Sequence, residues 1–471
     1  MRHYDLCVIG SGPAGQRAAI QAAKLGKSVV VIERGRDLGG VAVNTGTIPS
    51  KALREAILQV AGRTVAAPTT RDFAAARDAL FSNLIRACQR VIAAEVNITA
   101  DQFRRNNIEA IHGTASFEDP QCVTVTHQRG SDRIKADHFL IAVGTRPARP
   151  DSIPFDEHNI ITSDQIHELP DAPHSMIVVG GGVIGTEYAS MMQALGVKTT
   201  IIEGRDRLLD FVDAEITEAL QFHLRQAGAT LRLGEKVTKI NKIDAIEGSR
   251  TSDNIMAEAV LESGKTIRAD ALLYAVGRQG STEALTLDNA GLEADHRGRI
   301  PVNETYQTTQ PHIYAAGDVI GFPALASTSY EQGRVAACHM FGQRFDNVHD
   351  LLPYGIYAVP EISMVGWTES QLTKEGIPYE SGVASYKEIA RGQLLGDDIG
   401  MLKLLIHQDS HTVLGVHALG TGATELIHIG QAAIAFKATA EYFVDTVFNY
   451  PTLAEAYKVA AYNALNKLRG V

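Results

Sequence analysis

The chain has 471 residues, 45% of them hydrophobic and 21% charged, with a formal net charge of −10 at pH 7. That length accommodates about three domains of roughly 150 residues each, and the composition is that of an ordinary globular protein. The acidic balance, with no long lysine or arginine tract, argues against a nucleic acid or an anionic membrane as partner, and no run of about 18 apolar residues predicts a membrane span.

In chain order, Tyr4-Asp5-Leu6-Cys7-Val8-Ile9 reads as a buried strand running directly into a glycine turn. That leaves little room for a targeting sequence and points to a cytoplasmic protein. The turn Gly10-Ser11-Gly12-Pro13-Ala14-Gly15 opens an alanine-rich helical stretch, Gln16 to Leu25; a second apolar run, Ser28 to Ile32, then ends in Glu33 and Arg34. The amphipathic region from Lys51 to about Asn107 predicts two helices broken near Pro68. Phe139 to Val143 is another apolar strand, which exits through Gly144.

The opening pattern then returns. Ser175 to Val179 runs into Gly180-Gly181-Gly182-Val183-Ile184-Gly185, followed by a helical stretch from Thr186 to Leu195 and an apolar run, Lys198 to Ile202, that ends in Glu203. The separation from first glycine to acid is the same in both copies. Ala271 to Val276, leaving through Gly277, likewise repeats the Phe139 to Gly144 segment, so the chain carries a duplicated unit. Near the end, Gly400 to His407 and Val413 to Ala418 alternate as strands and Thr452 to Leu468 reads as a closing helix. Cys7, Cys88, Cys122 and Cys338 lack metal or redox spacing and read as reduced core residues; His407, His411, His417 and His428 lack ligand spacing on one helix face.

Glycine-rich turns are common, but two copies of G-x-G-x-x-G in strand–turn–helix–strand context, each with an acid about 20 residues on, form the dinucleotide fingerprint. Gly10 and Gly180 allow the tight turn, Gly12 and Gly182 let a pyrophosphate approach the backbone, and Gly15 and Gly185 let helix pack on strand. The helix N-terminus offers free N–H groups to the phosphates. Glu33 suits the ribose of FAD and Glu203 that of NAD. Arg205 and Arg207 follow Glu203, either as solvated loop charges or as partners of the 2′-phosphate of NADP.

Four features together resemble the pyridine nucleotide–disulfide oxidoreductase family: the fingerprint pair, the run Gly39 to Lys51 with G-T-I-P-S-K, the run Ile313-Tyr314-Ala315-Ala316-Gly317-Asp318, and the ending Asn449 to Tyr457. The resemblance covers essentially the whole chain. It implies an α/β fold of two Rossmann-like dinucleotide-binding domains, glutathione reductase-like, plus a C-terminal α+β interface (dimerisation) domain. The expected order is an FAD-binding domain in two parts, 1–150 and 271–345, around an NAD(P)-binding domain, 151–270, with the interface domain over 346–471. A homodimer or larger homo-oligomer follows, with the Glu455 region reaching the flavin of the other subunit.

By the same resemblance Lys51 lies beside the flavin N5 edge, Glu187 pairs with it, Asp318 bonds the ribityl chain and backbone around Ala326 reaches the ring. The FAD set is then Gly10, Gly12, Pro13, Ala14, Gly15, Glu33, Arg34, Lys51, Thr114, Gly144, Asp318 and Ala326. The NAD(P) set is Gly180, Gly182, Val183, Ile184, Gly185, Glu187, Glu203, Arg205 and Gly277. The departures matter more. Where the family's disulfide reductases carry the redox cysteines, this chain has Ala42 and Thr47, and where they carry the histidine that protonates a thiol it has Tyr450, with Glu455 retained. None of these substitutes forms a disulfide, and a tyrosine with a reference pKa near 10 is a poor proton shuttle. What remains implies an oxidoreductase that exchanges hydride between NADPH and NAD⁺ by a ping-pong mechanism at one nicotinamide site, with no metal. Two rivals stand beside it: an NAD(P)H diaphorase or quinone reductase, and a non-catalytic NADH-sensing flavoprotein.

Overall fold

The computed structural model describes residues 2–61, 70–156, 158–245, 254–345 and 351–470. The first sheet is built on the parallel pair Arg2–Ile9 and Val29–Glu33, whose side chains are buried on both faces where the apolar runs predict it. Its strand order is Glu109–His112, Val29–Glu33, Arg2–Ile9, Gly130–Ile141, Cys122–His127, Thr114–Asp119. Gly130–Ile141 serves two neighbours on one edge: its first half pairs antiparallel with Cys122–His127, and its last residues pair parallel with Ile313–Ala315.

The second sheet is Thr230–Leu233, Lys198–Glu203, Ser175–Val179, Ala271–Tyr274 and Ile160–Ile161, and its first four strands repeat the order and register of the first four of the first sheet. The main-chain bonds repeat too. Gly10 donates to the Ile32 carbonyl at 2.8 Å and Ala142 to Ile9 at 2.8 Å; Gly180 donates to Ile202 at 2.9 Å and Ala275 to Val179 at 2.8 Å. One boundary needs correction. The second domain, expected to end at residue 270, runs on through Ala271–Tyr274, because that apolar run pairs with Ser175–Val179 rather than with anything in the first sheet. The chain crosses between domains on a short antiparallel pair, Thr145–Pro147 with Arg278–Gly280.

The third unit is a five-stranded antiparallel sheet, Tyr354–Ile356, Ile362–Gly366, Val413–Leu419, Met401–His407 and Tyr379–Ser385, backed by helices Ala423–Ala435 and Glu455–Arg469. Two helices, Thr47–Ala61 and Thr70–Arg105, occupy the long amphipathic region; the expected break near Pro68 lies outside the described residues. Among the described residues no helix is long and apolar enough to cross a membrane.

The core that matters for the site is shared by all three units. Leu53 and Ile57 of helix Thr47–Ala61, Tyr188 and Met192 of helix Val183–Ala194, and Ile356 and Ala358 beside the third sheet form one buried cluster. At roughly 25 cal/mol per Å² of apolar area, such shared burial fixes the domains against one another and aims their polar ends at one point. Charge adds a second tie. The ammonium of Lys403, on Met401–His407, is buried between Asp213, 2.9 Å away, and Glu369, 2.6 Å away, joining the second domain to the third.

Candidate active site

Both glycine turns have the geometry that the fingerprint demands. Gly10 and Gly180 have φ of +106° and +107°, and a Cβ on Gly15 or Gly185 would lie 2.0 or 1.9 Å from the carbonyl oxygen of the first glycine. The helices Pro13–Lys24 and Val183–Ala194 can start there only with glycine at that place. At the middle glycines the reverse holds: among the described residues a Cβ on Gly182 would meet nothing within 4 Å, and one on Gly12 only the Gly40 Cα at 4.0 Å. That open backbone in front of a helix N-terminus fits a diphosphate on both domains. Pro13, Ala14, Val183 and Ile184 form the first turns of these helices.

The acids close the two turns from the same side. Glu33 accepts from the Ser11 N–H at 3.0 Å, the Ser11 hydroxyl at 2.6 Å and the Gly35 N–H at 2.7 Å. Glu203 accepts from the Gly181 N–H at 2.6 Å, and its remaining capacity goes to Arg205, whose Nε and Nη2 each stand 3.0 Å from a carboxylate oxygen. Burial works to raise the Glu203 pKa, but the hydrogen bonds from Arg205 and Gly181 outweigh it and hold the carboxyl below its usual range. Arg205 also pairs with Asp210, while Arg207 donates to the Asp210 carbonyl at 2.8 Å. Arg34 and Thr114 lie by the exit of the first acid's strand, where Gly113 donates to the Glu33 carbonyl at 2.9 Å.

Three domains converge on Lys51. Its Nζ donates to Glu187 Oε2 at 2.9 Å and Oε1 at 3.1 Å and to the Ser50 hydroxyl at 3.2 Å, and stands 4.8 Å from the centroid of the Tyr357 ring. The Glu187 side chain is 4% exposed and that of Lys51 25%, so the cation keeps one open side. Glu187 Oε1 also accepts from the Tyr357 N–H at 2.8 Å. One helical turn past Lys51, Arg54 donates to the Ala358 carbonyl at 2.9 Å and pairs with buried Glu361 at 3.1 Å, pinning the same segment.

Asp318 opens the turn after Ile313–Ala315 and accepts from the Thr145 hydroxyl at 3.3 Å; that hydroxyl in turn accepts from Arg278 Nε at 2.8 Å. Burial raises the Asp318 pKa, with the Arg278 charge and the Thr145 bond opposing. A carboxylate held this way has an oxygen free for a polyol chain. Gly144 and Gly277 tie the crossings reciprocally, Ser281 donating to the Gly144 carbonyl at 3.0 Å and Ala148 to that of Gly277 at 3.1 Å. Ala326 starts helix Ala326–Met340, which packs on the first fingerprint helix so tightly that a Cβ on Gly333 would lie 2.0 Å from the Ala14 carbonyl oxygen. We expect Thr145→Val to weaken FAD retention by roughly fivefold, about 1 kcal/mol for the lost bond to Asp318, as read by titrating FAD into stripped protein.

Ala42 lies in the short helix Gly40–Asn44, Thr47 begins the helix that carries Lys51, and all four cysteines are buried and unpaired. Tyr450 is 73% exposed in the single chain, and the buried Oε2 of Glu455 has no hydrogen-bond partner among the described residues. The sequence reading missed Tyr357 and Arg278. Arg278 had a signal, since it follows Ala275-Val276-Gly277 as Thr145-Arg146 follows Ala142-Val143-Gly144; Tyr357 had none.

Residues 4–333 match the family described as pyridine nucleotide-disulphide oxidoreductase, and residues 352–461 match its dimerisation domain. The chain belongs to the pyridine nucleotide-disulphide oxidoreductase family. It is therefore an oxidoreductase of a family that binds FAD and NAD(P), it has the glutathione reductase-like fold, and it forms a homodimer. Over the whole chain it is 52% identical to the soluble pyridine nucleotide transhydrogenase of Mycobacterium bovis, covering 99% of that protein. It is 45% identical to the protein of the same name from Vibrio parahaemolyticus, with 99% of each covered. Among solved structures, the HOCl-induced flavoprotein disulfide reductase RclA of Escherichia coli superposes with a TM-score of 0.85 at 26% identity, over 98% of this chain and 99% of that one.

Proposed function

We propose that the chain is an FAD-dependent NAD(P)⁺ transhydrogenase that exchanges hydride between NADPH and NAD⁺ at one nicotinamide site. The observation that carries it is the intact Lys51–Glu187 pair at the meeting point of the two fingerprint domains, on a chain whose redox-pair positions are Ala42 and Thr47. The relatives named as soluble pyridine nucleotide transhydrogenases, alike over full length, support the same reading.

The first fingerprint turn with Gly10, Gly12 and Gly15, the acid Glu33, and Asp318 with Thr145 would hold FAD, whose diphosphate, ribose and polyol chain match those groups in kind. When bound, FAD supplies a two-electron centre that takes hydride from one nicotinamide and returns it to another. Lys51 presents a fixed positive charge at the edge where negative charge develops, and Glu187 with Tyr357 N–H keeps that charge in place. The turn at Gly180, Gly182 and Gly185 binds either dinucleotide, and Glu203 with Arg205 reads the ribose. Because one site serves both nucleotides, NADP⁺ must leave before NAD⁺ enters. A cytoplasmic setting, where both pools are met, suits this exchange.

Initial rates measured with varied NADPH at several fixed NAD⁺ concentrations test the single site. Parallel double-reciprocal lines are expected, with each product competitive against the other nucleotide; intersecting lines would require two nucleotides bound at once and overturn the proposal.

A further inference from the structure

We infer that Tyr357, contributed by the interface domain, is a positioning residue for the Lys51 ammonium and through it sets the reduction potential of the bound flavin. This rests on FAD binding at the site proposed above. Two features of the fold converge on the ring, and the main chain of the same residue adds a third contact with the ion pair. Its face lies 4.8 Å from Lys51 Nζ, within the range in which a cation is attracted to an aromatic quadrupole. The main-chain N–H of Tyr357 donates to Glu187 at 2.8 Å, so one residue touches both members of the ion pair. Gly355, two residues earlier, has no left-handed backbone to explain it, yet a Cβ there would stand 3.2 Å from the ring's Cε2 and 3.2 Å from Thr424 Cγ2. Gly355 makes room for the ring.

The ring is not what docks this segment. The Val359 N–H donates to the Ser190 hydroxyl at 2.9 Å, Arg54 binds the Ala358 carbonyl, and Ile356 and Ala358 are buried in the three-domain cluster. Tyr357 is thereby free to serve the cation. Glu187 and Ser50 hold Lys51 on two sides, and the ring blocks a third, leaving the ammonium aimed into the remaining space. Burial raises the Tyr357 pKa, with Thr424 opposing, so a neutral ring faces Lys51 across the working pH range. An ammonium held by fewer contacts samples more rotamers and spends less time at the flavin edge, which weakens the stabilisation of charge there.

The test compares Tyr357→Leu and Tyr357→Phe as FAD-loaded full-length homodimers, equilibrated with redox dyes of known potential. Tyr357→Leu is expected to shift the equilibrium against flavin reduction by about tenfold, close to 30 mV for a two-electron couple. Its NADPH KM stays within about twofold, and the rate of enzyme reduction falls in proportion to the potential. Tyr357→Phe, which keeps the π face, stays within about twofold of the parent in every reading. A parental potential in Tyr357→Leu overturns the inference, and so does a Phe variant as impaired as Leu. If Tyr357→Leu fails to hold FAD, phenylalanines of increasing fluorination placed at 357 carry the test, since fluorine weakens the π face at nearly constant shape. The potential should fall stepwise with fluorine number; a flat series overturns the inference. Dye equilibration needs no second nucleotide, so loss of NADPH-to-NAD⁺ exchange with these shifts intact would reject the proposed reaction alone.

Discussion

Replacing Lys51 by methionine is expected to slow reduction of the FAD-loaded enzyme by NADPH by roughly 10²- to 10³-fold, the usual effect of removing one preorganised charge or donor from a reacting centre. Methionine keeps the length and apolar stem of the side chain, so helix Thr47–Ala61 retains its packing through Leu53 and Ile57. The cost falls on charge. Without the ammonium, the Glu187 carboxylate, 4% exposed, keeps only the Tyr357 N–H as its close donor among the described residues. An unpaired negative charge would then stand where a positive one belongs. Glu187→Gln should cost less, about tenfold, because Lys51 retains its cation and the Tyr357 ring. Stopped-flow absorbance at the flavin band reads both variants, and equal losses in the two would mean that the pair serves only to join the domains.

The Glu203–Arg205 pair leads to the second large effect. Each neutralises the other through paired bonds of 3.0 Å. NAD⁺ offers ribose hydroxyls that donate to Glu203, whereas NADP⁺ offers a 2′-phosphate that a guanidinium binds with two parallel bonds. Either nucleotide must open the pair, and each then uses a different member. Arg205→Ala should therefore lower kcat/KM for NADPH by roughly 10- to 100-fold, at 1.5–3 kcal/mol for hydrogen bonds to charged groups, and leave NADH within about threefold. Glu203→Ala should invert the pattern. The depressed pKa of Glu203 means that the stability it contributes is present above the ordinary carboxylate pKa and is lost as pH falls through the depressed value, so the selectivity is expected to be flat from pH 6 to 9. An equal fall for both nucleotides in Arg205→Ala would mean that Arg205 only organises the loop.

Much of this was legible in the sequence because the fingerprints are local. A strand, a turn with φ near +106° and a helix start where any Cβ would fall 2 Å from a carbonyl oxygen leave glycine as the sole solution, and the same local demand at Gly10 and Gly180 writes the same text twice. The run Ala271–Tyr274 shows the limit. Its apolar character marks a buried strand, but which sheet it joins depends on Ser175–Val179, almost a hundred residues away, and the boundary was misplaced. Lys51 and Glu187 were assigned through the family resemblance, since nothing local pairs a helix-start lysine with a glutamate 136 residues on. Tyr357 lay beyond both routes. It reaches Lys51 only because Leu53, Met192 and Ile356 share one core, a consequence of packing among three domains that no periodicity records.

The central claim is that one nicotinamide site passes hydride from NADPH to NAD⁺, and mixing the NADPH-reduced, NADP⁺-freed enzyme with NAD⁺ in a stopped-flow instrument tests it most directly. The flavin absorbance should recover at a rate equal to or faster than steady-state turnover, with one NADH formed per flavin. Recovery far slower than turnover, or rapid recovery with a quinone but not with NAD⁺, would contradict it.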